Sequence, residues 1–322
     1  MERLYIVGSG KLLVKEKCMV FQKFERNIKK EMKIPVNSVK YLFCIGKIGF
    51  SPKSLRNILK KEIITVISDY NGYINGCIVP INRFFTYLQF KQYEIFNSKR
   101  LEYAEKIVEG LRKSSIFALS FFNNKIAEDS INEIRKIEIK AENIQSLMAY
   151  ESQIWKVLYN FIRSFLPIFE TRIYNPPKDK FNCIISFGYS LLYSIILSHL
   201  IREFLNPKLG FLHEPDENRN SLVLDLSELF KPIILLLLDF KIAYKNLLPD
   251  FCFTEKTDST YLNDLGKVRY LGFFERFLNE TFYSSLLKRK IKFEELIKIE
   301  IKNLRKSIEK DKEYEPLKAI CL

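Results

Sequence analysis

Ile63-Ile64-Thr65-Val66-Ile67-Ser68-Asp69-Tyr70-Asn71-Gly72-Tyr73-Ile74-Asn75-Gly76-Cys77-Ile78-Val79-Pro80 is the stretch at which the chain changes period. Two β-branched apolar runs flank Asn71-Gly72, a dipeptide that tolerates the positive φ of a tight turn, so both runs read as strands. Upstream, Leu4-Tyr5-Ile6-Val7, Lys11-Leu12-Leu13-Val14, Met19-Val20-Phe21 and Val39-Lys40-Tyr41-Leu42-Phe43-Cys44-Ile45 repeat the pattern between Gly, Asn and Pro breakers. Ser51-Pro52 supplies an N-cap and a first-turn proline for a short helix with Leu55, Ile58 and Leu59 on one face. Beyond Pro80, from about Arg83, apolar residues recur at helical spacing with few breakers. The expected class is α+β: a small, β-sandwich-like β-rich domain over residues 1–84 and a larger all-α domain over residues 85–322.

The chain has 322 residues, 47% of them hydrophobic and 14% aromatic, enough to fill a sizeable core, which excludes a disordered chain. A formal charge of +14, from 52 Lys and Arg against 38 Asp and Glu, points to a polyanionic partner, either nucleic acid or an anionic membrane surface. Cys18, Cys44, Cys77, Cys183, Cys252 and Cys321 form no CxxC pair, so they read as reduced, mostly buried thiols rather than a zinc knuckle or a disulfide framework. Residues 181–201 carry no formal charge over about the 20 residues that a bilayer core requires. Asn182, Ser186, Ser190, Ser194, His199 and two tyrosines there favour a buried helix over a membrane span. No signal peptide is legible at the N-terminus, and the cytoplasm is the expected location. Kinase and dehydrogenase readings lack a Walker loop or a GxGxxG fingerprint.

In the helical part, Leu101, Ala104, Ile107, Val108 and Leu111 share one face, opposite Lys99, Arg100, Lys106, Arg112 and Lys113, a face that is either solvated or turned to DNA. Over residues 144–165 an apolar stripe of Ile144, Leu147, Met148, Trp155, Leu158, Ile162 and Phe165 is interrupted by Glu151. Burying an unpaired carboxylate costs several kcal/mol, so Glu151 requires a cationic side chain, a metal ion or a wet cleft. Ser186, Ser190, Ser194 and Ser198 recur every fourth residue, and read either as a close-packed seat for the Glu151 helix or as plain solvent-side serines. From Lys288 onward, alternating Lys and Glu predict a solvated amphipathic helix.

Leu209-Gly210-Phe211-Leu212-His213 precedes a mostly acidic loop that also carries Arg219, and then Ser221-Leu222-Val223-Leu224-Asp225-Leu226-Ser227-Glu228-Leu229-Phe230-Lys231-Pro232. Asp225 and Glu228 stand three apart on one helical face, from which Glu228 can share an ion with His213. A neutral imidazole with carboxylates suits Mn²⁺, and Mg²⁺ when substrate phosphate completes the shell, whereas thiolates would indicate zinc. The alternative is a non-enzymatic DNA-binding or scaffolding subunit in which Glu151, His213 and Glu228 form an internal polar network.

The combination of Asp179-Lys180-Phe181-Asn182-Cys183-Ile184-Ile185-Ser186-Phe187-Gly188-Tyr189-Ser190-Leu191-Leu192-Tyr193, Gly210-Phe211-Leu212-His213, the 218–232 block and Tyr261-Leu262-Asn263-Asp264-Leu265-Gly266 resembles the Cas1 family of CRISPR-associated adaptation integrases. The resemblance implies metal ligation by Glu151, His213 and Glu228, an additional acidic position at Asp225, and DNA contacts at Arg219 and Lys231. It further implies insertion of short DNA fragments, or spacers, into a repeat array by attack of a 3′-hydroxyl on a phosphodiester, and endonuclease activity when water attacks instead. Mg²⁺ or Mn²⁺, double-stranded and branched DNA, a homodimer and the Cas2 partner protein come with that reading, and a membrane does not. Two departures stand out: Ser152 where many relatives carry Gly or Ala, and the acidic Glu214-Pro215-Asp216-Glu217 after His213.

Overall fold

Period-two alternation in the N-terminal sequence becomes one mixed sheet. In the computed structural model, which describes residues 2–15, 17–25, 28–83, 86–140, 142–284 and 287–318, strands β1 (Arg3–Val14), β2 (Cys18–Glu25), β3 (Ile28–Pro35), β4 (Tyr41–Phe50), β5 (Ile64–Ser68) and β6 (Ile74–Ile78) pair in the order β3-β2-β1-β4-β5-β6. β4 lies parallel to β1 and β5, and the other pairs are antiparallel. Helix α1 (Pro52–Lys60) makes the β4–β5 crossover, and the Ser51 hydroxyl caps it by accepting from the Ser54 N–H at 3.2 Å. The runs Leu4–Val7 and Lys11–Val14, expected as separate strands, join into β1: Gly8 stays in the ladder opposite Gly46, and both adopt positive φ, +104° and +118°. Two glycines facing each other let the paired strands bend without losing register.

Alternate side chains of β4 serve different cores. Tyr41, Phe43 and Ile45 join the helical core, while Leu42 and Cys44 join a smaller one built with Leu4, Ile6, Leu12, Phe21 and Ile58 of α1.

The helices are α2 (Thr86–Leu119), kinked at Lys99, α3 (Lys125–Arg135), α4 (Ile144–Arg163), α5 (Lys180–Arg202), α6 (Ser221–Glu228) and α7 (Lys231–Ile234). A π turn over Leu235–Asp239 leads to α8 (Phe240–Tyr244), followed by α9 (Asp264–Asn279) and α10 (Phe293–Lys310). Two hairpins, β7 (Phe253–Lys256) with β8 (Ser259–Leu262) and β9 (Thr281–Ser284) with β10 (Arg289–Lys292), interrupt this helical part. Helix α5 is long and apolar enough to cross a membrane, but 83% of its most apolar window is buried inside the fold, so it is the core helix.

Two expectations need correction. The serine stripe of α5 does not seat α4, which packs on α2 and α3; Ser190 instead meets the Gly72 turn, and the Ser186 hydroxyl accepts from Arg172 at 2.9 Å. The segment from Lys288 is not simply a solvated helix: it opens with β10, and α10 buries Phe293, Leu296, Ile297, Ile301 and Leu304 together with the Glu300 carboxyl, which accepts from Tyr314. Of the cysteines, Cys44, Cys183 and Cys252 are buried and Cys18 and Cys77 half-buried, all free thiols; Cys321 and the expected boundary at residues 84 and 85 lie outside the described residues.

Candidate active site

Asp225 is the fixed point of the site. It is fully buried on α6, and both oxygens accept twice: Oδ2 from the Phe211 and Leu212 N–H groups at 2.5 and 3.1 Å, Oδ1 from the His213 N–H at 2.9 Å and from His213 Nδ1 at 2.8 Å. The loop comes this close because residue 210 is glycine. A Cβ there would stand 2.7 Å from the Ser221 carbonyl carbon and 2.9 Å from Asp225 Oδ2.

Two side chains of α2 hold the loop from the other side. Gln92 donates to the Asn206 and Leu209 carbonyls, each at 3.0 Å, while Arg100 donates to the Phe211 carbonyl at 2.9 Å and pairs with Glu214 at 2.6 Å. Arg100 therefore neutralises part of the acidic loop, and Arg219 donates back to the Glu214 carbonyl at 2.8 Å. Neither of the α2 anchors was legible as such, because a polar side chain that serves a distant backbone leaves no periodic signal.

His213 reaches Asp225 through Nδ1, which fixes the tautomer and leaves Nε2 without a hydrogen bond among the described residues. Burial opposes its protonation, but the hydrogen bond and charge of Asp225, with the charge of Glu228, outweigh it and raise the imidazole pKa. Glu228, 2% exposed, accepts from Lys231 Nζ at 2.5 Å on Oε1 and from the indole N–H of Trp155 at 3.0 Å on Oε2. Glu151, half-buried on α4, is pushed up to about 7, first by burial and then by the charge of Glu228, with Lys231, His213 and Trp155 opposing. Trp155, one helical turn from Glu151, donates to Glu228, which also meets Lys231 and stands three residues from the Asp225 that holds His213, so the fold brings these groups into one locality.

Lys231 departs from expectation. Rather than reaching DNA, it is buried, its ammonium lies 5.4 and 5.3 Å from the Tyr189 and Tyr193 ring centroids, and it is paired with Glu228. Burial works against its charge and the Glu228 carboxylate overcomes that, raising its pKa. Arg219 is exposed on the loop after His213.

As placed, no three His, Cys, Asp or Glu side chains among the described residues stand close enough together to hold a metal ion. Lys231 and Trp155 occupy the Glu228 oxygens. The donor chemistry nonetheless fits a divalent cation: two carboxylates, of which Glu151 is raised by burial and then by the charge of Glu228, and an imidazole whose other nitrogen is already committed to a carboxylate, as is usual for metal-ligating histidines.

A donor set of this kind, on a basic α+β chain, belongs to the class of metal-assisted phosphodiester enzymes. The family model described as CRISPR associated protein Cas1 matches residues 4–276. CRISPR-associated endonuclease Cas1 2 of Thermodesulfovibrio yellowstonii is 32% identical over 97% of each chain. The solved structure of a Cas1 protein from Thermotoga maritima is 28% identical, covers 95% of this chain and 97% of its own, and has a TM-score of 0.82. A casposase bound to integration product shares the fold at 20% identity, with a TM-score of 0.79 over 99% of this chain and 93% of its own. The chain belongs to the Cas1 family of CRISPR-associated proteins, for which a divalent metal requirement is general.

Proposed function

We propose that this protein is a metal-dependent DNA integrase and endonuclease of CRISPR adaptation, with Glu151, His213 and Glu228 as the ligands of Mg²⁺ or Mn²⁺. What supports this reading is geometric: the Trp155 indole, one helical turn from Glu151 on α4, donates to Glu228 on α6, and Asp225, three residues before Glu228, holds His213 of the loop between α5 and α6. When bound, the ion supplies polarisation of a phosphoryl oxygen and activation of the attacking 3′-hydroxyl or water. Glu151, Glu228 and His213 would hold it, His213 through Nε2, and Asp225 holds the imidazole in the tautomer that makes Nε2 the free nitrogen. Lys231 is the cation paired with Glu228 in this buried setting.

The DNA is double-stranded or branched. Its phosphates are met by exposed basic side chains, Arg219 among them, so binding weakens steeply with salt. The working assembly is a homodimer joined by Cas2, in the cytoplasm, with the chain divided into an N-terminal β-rich domain and a helical catalytic domain. The test is His213→Ala, which is expected to abolish Mg²⁺- or Mn²⁺-dependent strand transfer and cleavage while DNA binding persists. Full activity in that variant overturns the assignment, and a wild-type protein that binds DNA but shows no chelator-sensitive turnover is the scaffold of the alternative reading.

A further inference from the structure

Trp155 is the only tryptophan in the chain. Periodicity assigns it to the apolar stripe of α4, and it is 9% exposed and stacked on Tyr159 with ring centroids 5.5 Å apart. Its polar atom, however, is turned to a different helix: Nε1–H donates to Glu228 Oε2 at 3.0 Å.

The two donors to Glu228 are not equivalent. Lys231 follows Glu228 by three residues on the same α6–α7 turn, so its ion pair travels with Glu228 and says nothing about the distance to α4. Trp155 stands one helical turn beyond Glu151 on α4, so its hydrogen bond is the one that sets Glu228 against the Glu151 helix. Both α4 and α6 pack on α2, and the indole bridges the space between them. A neutral N–H orients a carboxylate without adding positive charge that would compete with a cation, and it leaves lone pairs on both oxygens.

We propose that Trp155 is a positioning residue, whose indole N–H holds the Glu228 carboxylate at the spacing from Glu151 that a shared divalent cation requires. This rests on the ligand assignment above. Phenylalanine at position 155 keeps an aromatic ring to stack on Tyr159 and removes the donor together with the pyrrole ring that carries it.

Calorimetric titration of the full chain with Mn²⁺, with thermal melting as a control, tests it. Trp155→Phe is expected to melt close to the wild type and to bind Mn²⁺ about 10–100-fold more weakly, the range for lost partners of metal ligands. Because no other tryptophan contributes, the wild-type indole emission should be quenched by Mn²⁺ with the calorimetric midpoint, and Glu228→Gln should lose that quench. Unchanged Mn²⁺ affinity in Trp155→Phe overturns the positioning role and leaves the ligands standing; absence of saturable Mn²⁺ binding in the wild type overturns the ligand assignment itself. If Trp155→Phe melts early, the wild-type emission decides: a saturable quench supports the inference, and emission indifferent to bound Mn²⁺ overturns it.

Discussion

Replacing Asp225 by Asn is the sharpest probe of the architecture around His213. The side chain keeps its shape, but each Asp225 oxygen accepts from two donors, the backbone N–H groups of residues 211 and 212 on Oδ2 and the backbone N–H and Nδ1 of His213 on Oδ1. An amide offers one oxygen and one NH₂, so in either orientation two donors face a donor. Each hydrogen bond to a charged acceptor is worth about 1.5–3 kcal/mol, and the site is fully buried, so two lost bonds predict a destabilisation of about 3–5 kcal/mol after partial relaxation of the loop. Urea unfolding of the metal-free protein measures it. The same change releases the imidazole from its carboxylate, and strand transfer should fall about 10–100-fold beyond what unfolding explains, measured where the variant is folded. A variant within about 1 kcal/mol of the wild type and fully active would refute the claim that Asp225 organises this loop.

Lys231→Met leaves the Glu228 carboxylate buried without its cation, which should cost about 3–5 kcal/mol in the metal-free protein, and Mn²⁺ should raise the unfolding midpoint more in this variant than in the wild type. An equal or smaller metal-induced shift would count against Lys231 as the resident counter-charge. His199, whose Nδ1 lies 3.1 Å from the Tyr41 hydroxyl, is pulled down to about 3 by burial and then by nearby cations such as Lys298. Its unfolded form takes up a proton near the ordinary value of 6.5 and the folded form does not, so its stabilisation is present above about pH 6.5 and is lost as pH falls toward about 3, by at most about 4–5 kcal/mol. Urea unfolding across that window should show a shallower slope for His199→Gln, and parallel slopes would contradict the assignment.

What could be read from the sequence follows from which signals are periodic. Glu151 was legible because a carboxylate on an apolar helical stripe is a misfit, Glu228 because it stands three residues from Asp225 on one helical face, and the strands around Asn71-Gly72 because turn chemistry marks them: Asp69 Oδ1 accepts from the Asn71 and Tyr73 N–H groups, and Gly72 takes φ +95°. Strand β3 was missed, since an edge strand rich in Lys and Glu hides its alternation behind the charges that protect an edge. Lys231 was misread because a single cation between an aromatic residue and proline looks like a surface contact; only the rings of Tyr189 and Tyr193 and the Glu228 carboxylate, brought together by the fold, make it an interior one. Trp155 was assigned to the apolar stripe on periodicity, and periodicity says nothing of where the N–H points.

The small sheet matters to a site it does not itself form. Tyr189 and Tyr193, the aromatic surface beneath Lys231, belong to α5, and the position of α5 is set in part by the sheet: Tyr41 reaches His199 near its C-terminal end, and the Gly72 turn meets Phe187 and Ser190 so closely that a Cβ at residue 72 would lie 3.1 Å from the Ser190 side chain. Further ties from the sheet, Arg3 and Tyr5 to Glu275 and Tyr70 to Asp264, hold α9 against the same face. A buried lysine is tolerable only where its counter-charge and its ring contacts stay at fixed distances, since its attraction to a carboxylate falls with separation while its loss of hydration does not. The N-terminal strands therefore contribute to the Lys231–Glu228 pair through packing alone, by keeping α5 where its tyrosines can receive the Lys231 ammonium.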